Sequence, residues 1–178
     1  IYGAAACAAF IALSALSAAE AIEPPPLDAY GELPRIEDVA ISPDGKSTAV
    51  VLQASGDRRV LIMDKNGTPT FNVSAGTSKV RAIEWADRDT VLVTNSATVA
   101  LHGFAASKYE LTGTVVLSMK PGGASGLVFG ESKKIADTTV GRYGVRSIGG
   151  RTIGYFGGIA YDVSGNSLHL EHTRTTLY

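Results

Sequence analysis

Two Asp-containing turns 43 residues apart constrain the fold of this chain more than any other feature. Val39-Ala40-Ile41-Ser42-Pro43-Asp44 can be laid over Ala82-Ile83-Glu84-Trp85-Ala86-Asp87, and the apolar runs after the two turns then superpose as well. The first unit reads as four short runs: Ile36 to Ile41, Ser47 to Leu52, Arg59 to Met63, and a weaker one from Thr70 to Val73. They are separated by Ser42-Pro43-Asp44-Gly45, Ser55-Gly56-Asp57 and Asp64-Lys65-Asn66-Gly67. Short runs rich in Val, Ile and Thr, bounded by Gly, Asp, Asn and Pro, are strand and hairpin signals. Pro43 presets φ for a turn, Asp44 can accept from its own backbone, and Gly45 supplies a positive φ. Asn66-Gly67 is a strong hairpin dipeptide.

The second unit runs through Val80 to Trp85 and Thr90 to Thr94. A long strand follows from Leu111 to Met119, ending at Pro121-Gly122-Gly123. A third set comprises Thr152 to Tyr161, the turn Ser164-Gly165-Asn166, then Leu168 to Thr173 and Thr175 to Tyr178. A period near 43 residues with about four strands per unit is the pattern of propeller blades. No amphipathic helix is evident after residue 33, so the strands must pair antiparallel with near neighbours. The predicted fold class is all-β: a partial β-propeller of about three four-stranded antiparallel blades, over residues 36–79, 80–130 and 131–178. A β-sandwich also has short strands and regular turns, but matched Asp turns at a blade-length interval favour the propeller.

Residues 1–21 read as a signal peptide. Ala4 to Ala19 is apolar and uncharged, and shorter than the about 20 residues that span a membrane comfortably. Ala19-Glu20-Ala21 fits an A-x-A cleavage site, with Ser17-Ala18-Ala19 as an alternative. An Ala-rich helix of the mature fold and an uncleaved anchor are the competing readings. Cys7 is the single cysteine; it precedes the apolar stretch instead of following it, against the order of a lipoprotein signal. The stretch 22–35, with Pro24-Pro25-Pro26, reads as an extended Pro-rich linker. An exported protein, periplasmic or extracellular, is expected, with no membrane contact after cleavage. The chain opens at Ile1 and closes inside a strand-like run, so it reads as a fragment.

The 178 residues are 45% hydrophobic and 19% charged, as in a globular fold. Sixteen Lys plus Arg against 17 Asp plus Glu give a net charge of −1, with no electrostatic basis for nucleic-acid binding.

Catalytic motifs are not apparent. A nucleophile elbow needs Gly-x-Ser-x-Gly between strand and helix; Gly122-Gly123-Ala124-Ser125-Gly126 places its serine one position late, in a turn. His169 and His172 are three apart, which on a strand puts them on opposite faces, and His102 stands alone. Gly141-Arg142-Tyr143-Gly144 and Gly149-Gly150 lack the strand-to-helix setting of a phosphate loop. Arg58-Arg59 and Lys133-Lys134 read as solvated strand-edge charges. Trp85 reads as packing between blades, and Asp44 and Asp87 as turn stabilisers. No catalytic, cofactor-binding or metal-binding residue is expected, and no cofactor.

Tyr30-Gly31-Glu32-Leu33-Pro34-Arg35-Ile36-Glu37-Asp38-Val39-Ala40-Ile41-Ser42-Pro43-Asp44-Gly45 resembles the opening of the propeller in the prolyl oligopeptidase family of serine peptidases. The similarity is to the bacterial secreted dipeptidyl aminopeptidase or acylaminoacyl peptidase type. Ile83-Glu84-Trp85-Ala86-Asp87 is similar to the hydrophobic-x-Trp-x-Asp motif of such propellers, and Gly157-Gly158-Ile159-Ala160-Tyr161 and Thr176-Leu177-Tyr178 also look like that family. The resemblance covers roughly residues 24–178. It implies a C-terminal α/β-hydrolase domain with a Ser-Asp-His triad, absent from these residues, and short peptides as substrates. The propeller would gate their access. Ser-Pro-Asp-Gly turns also occur in TolB-like periplasmic propellers, so a protein- or ligand-binding module is the alternative.

Overall fold

The computed structural model describes residues 24–31, 34–54, 56–100, 108–164, 167–170 and 175–178. The signal-peptide reading, its cleavage sites and Cys7 lie outside the described residues. The chain divides into two units, Ile1–Glu32 and Leu33–Tyr178. In the first, Pro24 to Pro26 lead into one 3-10 turn at Leu27–Tyr30, closed by the Gly31 N–H on the Asp28 carbonyl at 3.0 Å.

The second unit is built of antiparallel strands. Sheet 1 contains β1 (Ile36–Ile41), β2 (Ser47–Ala54), β3 (Asp57–Asp64) and β4 (Pro69–Gly76) in chain order. Sheet 2 repeats that meander with β5 (Lys79–Asp87), β6 (Thr90–Ala100), β7 (Lys108–Ser118) and β8 (Gly126–Leu127). Sheet 3 has three strands. They are β9 (Arg142–Ile148), β10 (Arg151–Gly158) and, after a separate hairpin of β11 (Tyr161–Ser164) and β12 (Ser167–Leu170), β13 (Thr176–Leu177). Its order is β13-β10-β9.

Turn chemistry sets where the strands end. At the β1–β2 turn the Ser42 carbonyl accepts the Gly45 N–H at 2.9 Å, and Gly45 has a φ of 69°. Asp44 Oδ1 accepts the Ser42 hydroxyl at 2.8 Å and the Lys46 N–H at 3.2 Å. At the β3–β4 turn Asp64 Oδ1 accepts the N–H groups of Asn66 and Thr68, at 2.8 and 2.9 Å. These side chains occupy donors that the turn would otherwise leave without a protein partner.

The core lies between sheets 1 and 2. Ala49, Val51, Val60 and Ile62 of sheet 1 meet Ile83, Val91, Val93 and Leu117 of sheet 2. Sheet 2 has a second neighbour on its other face, where Leu92 and Val116 line a crevice with Val145, Gly154 and Phe156 of sheet 3. Two cross-links join these sheets: an ion pair between Arg142 and Glu84, and a hydrogen bond from the Thr152 hydroxyl to Asp87 Oδ2. A β-sandwich is two facing sheets and has no middle layer. Consecutive meanders stacked in chain order, with the second covered on both faces, are successive propeller blades.

The segment 135–141 bridges sheets 2 and 3. The Thr139 N–H donates to the Thr112 carbonyl of β7, and the Val140 N–H donates to the Gly157 carbonyl of β10, both at 2.8 Å. Gly157 is glycine for want of room: a Cβ there would lie 2.7 Å from the Val140 carbonyl oxygen. That close approach explains the Gly157-Gly158 pair better than a turn does.

Candidate functional site

The polar side chains that converge most closely sit where β5, β6 and β7 run side by side. Lys79 and Arg81 come from β5, Ser96 from β6 and Glu110 from β7. The register explains the meeting: Lys79 pairs with Ser96 and Ser96 with Thr112, so Glu110 stands one side-chain step along the same face. Arg81 Nε donates to the Ser96 hydroxyl at 2.7 Å, and the Ser96 hydroxyl donates to Glu110 Oε1 at 2.7 Å. Arg81 also forms an ion pair with Glu110, and Lys79 Nζ lies 3.6 Å from the same oxygen.

Arg81 and Glu110 of this group line a cleft of about 560 Å³ whose far wall is the bridging segment, at Thr138, Thr139 and Gly141. A neighbouring cavity of about 200 Å³ is lined by Ser78, Asn95, Asp137 and again Thr138. Thr138 Oγ1 is buried and has no hydrogen-bond partner among the described residues. Behind it, Thr94, Thr114 and Thr139 form a hydroxyl chain with spacings of 3.2 and 3.1 Å.

Electrostatics restrict what the cleft can do. The Ser96 hydroxyl, and then Arg81, hold the Glu110 carboxyl down at about 2, so it is ionised at neutral pH. General acid–base work needs a group that titrates near the working pH. Glu110 is far below it, and an arginine stays protonated throughout. The cleft therefore offers one cation, Arg81, and one anion, Glu110, which pair with each other, for charge-assisted hydrogen bonds to a polar ligand, together with threonine hydroxyls.

The other residues singled out by the sequence have structural partners or lie outside the description. Ser125 Oγ accepts the Ser118 N–H at 3.0 Å in an exposed turn. His102 and His172 fall outside the described residues, and His169 is placed only as a backbone position in β12, in register with Asp162. Among the described residues no group of three or more His, Cys, Asp and Glu is arranged to hold a metal ion. Gly149 and Gly150, with φ of 57° and 75°, are the two-residue turn between Ile148 and Arg151, a tight β9–β10 hairpin. Trp85 packs on the core between sheets 1 and 2. Asp87 Oδ1 accepts the Asp89 N–H at 2.8 Å, as a turn stabiliser does.

Arg58 differs from its sequence reading as a solvated edge charge. Its Nε reaches both Glu37 oxygens, at 2.7 and 3.0 Å, and its Nη1 donates to the Ser78 carbonyl at 3.3 Å. With side-chain exposures of 17% and 14%, Arg58 and Glu37 form a largely sheltered pair that ties β3 to β1 and to the β4–β5 turn. The charge of Arg58 shows in the sequence. Its partner lies 21 residues away and is found only by folding.

No family model matches the sequence, and no curated protein matches it. Among solved structures, the chain is similar to a Kuenenia stuttgartiensis hydrazine synthase, at 18% sequence identity and a TM-score of 0.43. That similarity covers 70% of this chain and 39% of that one, so the chain spans less than half of that structure's length.

Proposed function

We propose that residues 36–178 are a non-catalytic propeller part of an exported serine peptidase, and that they gate the access of short peptides to a hydrolase domain of the same polypeptide. The observation that carries this reading is the Ser42-Pro43-Asp44-Gly45 turn opening the first of two stacked meanders. It sits within the Tyr30–Gly45 stretch that resembles the prolyl oligopeptidase family.

The test is to read the gene downstream of the Tyr178 codon and to assay the full-length product on dipeptidyl and acyl-aminoacyl chromogenic substrates. The expected result is an open frame containing Gly-x-Ser-x-Gly, then Asp, then His, and hydrolysis that stops when that serine is replaced. A frame that closes after further Asp-Gly blade turns, with no hydrolysis, would replace this reading with the second one. In that second reading the chain is a TolB-like binding module, favoured by the cleft at Arg81 and Glu110 with its unpartnered Thr138 hydroxyl.

A further inference from the structure

We propose that the cleft lined by Arg81 and Glu110 binds a neutral saccharide, held by these two side chains and stacked on the ring of Tyr143 at the cleft rim. The inference stands apart from the peptidase reading and begins with a repeated irregularity. The first strand of each sheet carries one extra residue near its start. It is Glu37 between Ile36 and Asp38 of β1, Arg81 between Val80 and Ala82 of β5, and Tyr143 between Arg142 and Gly144 of β9. The extra residues stand opposite the steps from Leu52 to Val51 in β2, from Asn95 to Thr94 in β6, and from Phe156 to Tyr155 in β10. The first two steps are 43 residues apart, so the bulge repeats with the blade.

A bulge re-aims a side chain, and bulges concentrate beside functional sites. Each of these three side chains crosses its sheet. Glu37 meets Arg58 of β3, and Arg81 meets Glu110 of β7. The Tyr143 ring lies over β10, where a Cβ on Gly157 would come within 3.2 Å of it. The three places differ in what covers them. In sheet 1 the Ser78 carbonyl closes over Arg58, and the pair is sheltered. In sheet 2 the side chains of Arg81 and Glu110 stay 49% and 40% exposed and line the cleft. Tyr143 is 65% exposed and stands at the far wall: a Cβ on Gly141, which lines the cleft, would lie 3.6 Å from its ring.

The chemistry selects the ligand. The cation and the anion of the cleft cancel, so a charged ligand meets repulsion from one as it gains from the other. Arg81 donates through Nε and Nη2, and Glu110 accepts through Oε1. Among the described residues Arg81 Nη1 and Glu110 Oε2 have no hydrogen-bond partner. Arginine only donates, and an ionised carboxylate only accepts. A ligand must therefore accept from one and donate to its neighbour. Vicinal hydroxyls do both, side by side and without charge. A trans peptide unit points its N–H and C=O in opposite directions and cannot serve two adjacent groups in this way. The C–H bonds on one face of a pyranose pack on the negative face of an aromatic ring, the role of Tyr143. Leu111, Val140 and Ile159 complete an apolar wall, and a volume of about 560 Å³ is in the range of small-ligand pockets.

Ligand-observed saturation-transfer NMR on the full-length gene product gives the test. Maltose, cellobiose and trehalose are the neutral probes; glucuronate, glucosamine and a capped tripeptide are the comparators. The expected result is saturable binding of at least one disaccharide with a Kd of about 1 mM, and weaker binding of every comparator. Tyr143→Ala should weaken it by about tenfold, Tyr143→Phe should restore it, and Glu110→Gln should weaken it by about tenfold or more. Circular dichroism checks that each variant is folded. No saturable binding of any of the three disaccharides at millimolar concentration would overturn the proposal, as would binding that Tyr143→Ala leaves unchanged. A tripeptide held more tightly than all three disaccharides would overturn it in favour of a peptide site. None of these readouts needs hydrolysis, so the proposal can fail while the peptidase reading stands, and the reverse.

Discussion

The Trp85 indole N–H donates to the Ala40 carbonyl at 3.1 Å, fastening β5 of sheet 2 to β1 of sheet 1. A second bond runs alongside it, from the Ile83 N–H to Asp38 Oδ2 at 3.0 Å. Together they direct polar backbone groups across an otherwise apolar seam and fix the register of one sheet over the other. Trp85→Phe keeps most of the ring's packing but leaves the Ala40 carbonyl without its donor. The expected loss is about 1–2 kcal/mol. Trp85→Ala also opens a void in a half-buried site, for about 2–4 kcal/mol. Urea unfolding followed by circular dichroism separates the two. Equal losses would mean that the hydrogen bond contributes nothing.

The Arg58–Glu37 pair should behave as a sheltered ion pair and not as a surface one. Removing one partner with Arg58→Ala or Glu37→Gln leaves the other charge poorly solvated and should cost about 1–3 kcal/mol. The double variant Arg58→Met/Glu37→Leu should recover much of that loss. A double-mutant cycle by chemical unfolding measures the coupling. A coupling near zero would place the pair among exposed ones.

Stability should fall with acid through Glu110. Its folded pKa of about 2 lies below the ordinary glutamate value of 4.5, so the carboxylate's contribution is fully present above 4.5. The contribution is lost as pH falls through the interval between the two. Asp44, whose carboxyl the Ser42 hydroxyl and the Lys46 N–H hold low, acts in the same direction. Asp87 is held low too: partial burial pushes it up, but hydrogen bonds from Thr152, the Asp89 N–H and Thr90, with the charge of Lys120, together outweigh that burial. Glu110→Gln should flatten the melting temperature against pH between 4.5 and about 2. A variant whose acid limb matches that of the wild type would contradict the assignment.

The β9–β10 turn offers a backbone test. Gly149 and Gly150 both have positive φ, and a Cβ at either would meet nothing within 4 Å. Any cost of substitution is thus conformational and not steric crowding. Gly150→Val should destabilise by about 1–2 kcal/mol. Gly149→Asn, which creates the Asn-Gly dipeptide that such turns prefer, should be neutral or slightly stabilising. Thermal melts of the two variants give the comparison.

Much of the meander is legible in the sequence because turns are local. Pro43, Asp44 and Gly45, or Asp64, Asn66 and Gly67, specify their backbone path with side-chain and φ preferences that need no distant partner. Strand β9 is the counter-example. Gly141, Gly144, Gly149 and Gly150 break up its apolar pattern, so Arg142–Ile148 looks like a loop until β10 pairs with it. The candidate site was not legible at all. Lys79, Arg81, Ser96 and Glu110 are unremarkable until three strands align.

The sequence by itself determined the repeat: the 43-residue interval, the Asp turns and the antiparallel runs between them. Only the tertiary structure decided which residues are equivalent. The direct overlay matches Ile41 to Glu84, whereas pairing with Thr48 and Val91 matches Ile41 to Trp85. A bulge between Trp85 and Asp87 shifts β5 by one position against β1. In a strand, one position exchanges the two faces. Which face is buried therefore depends on hydrogen-bond register across the sheet, which composition and turn signals do not encode.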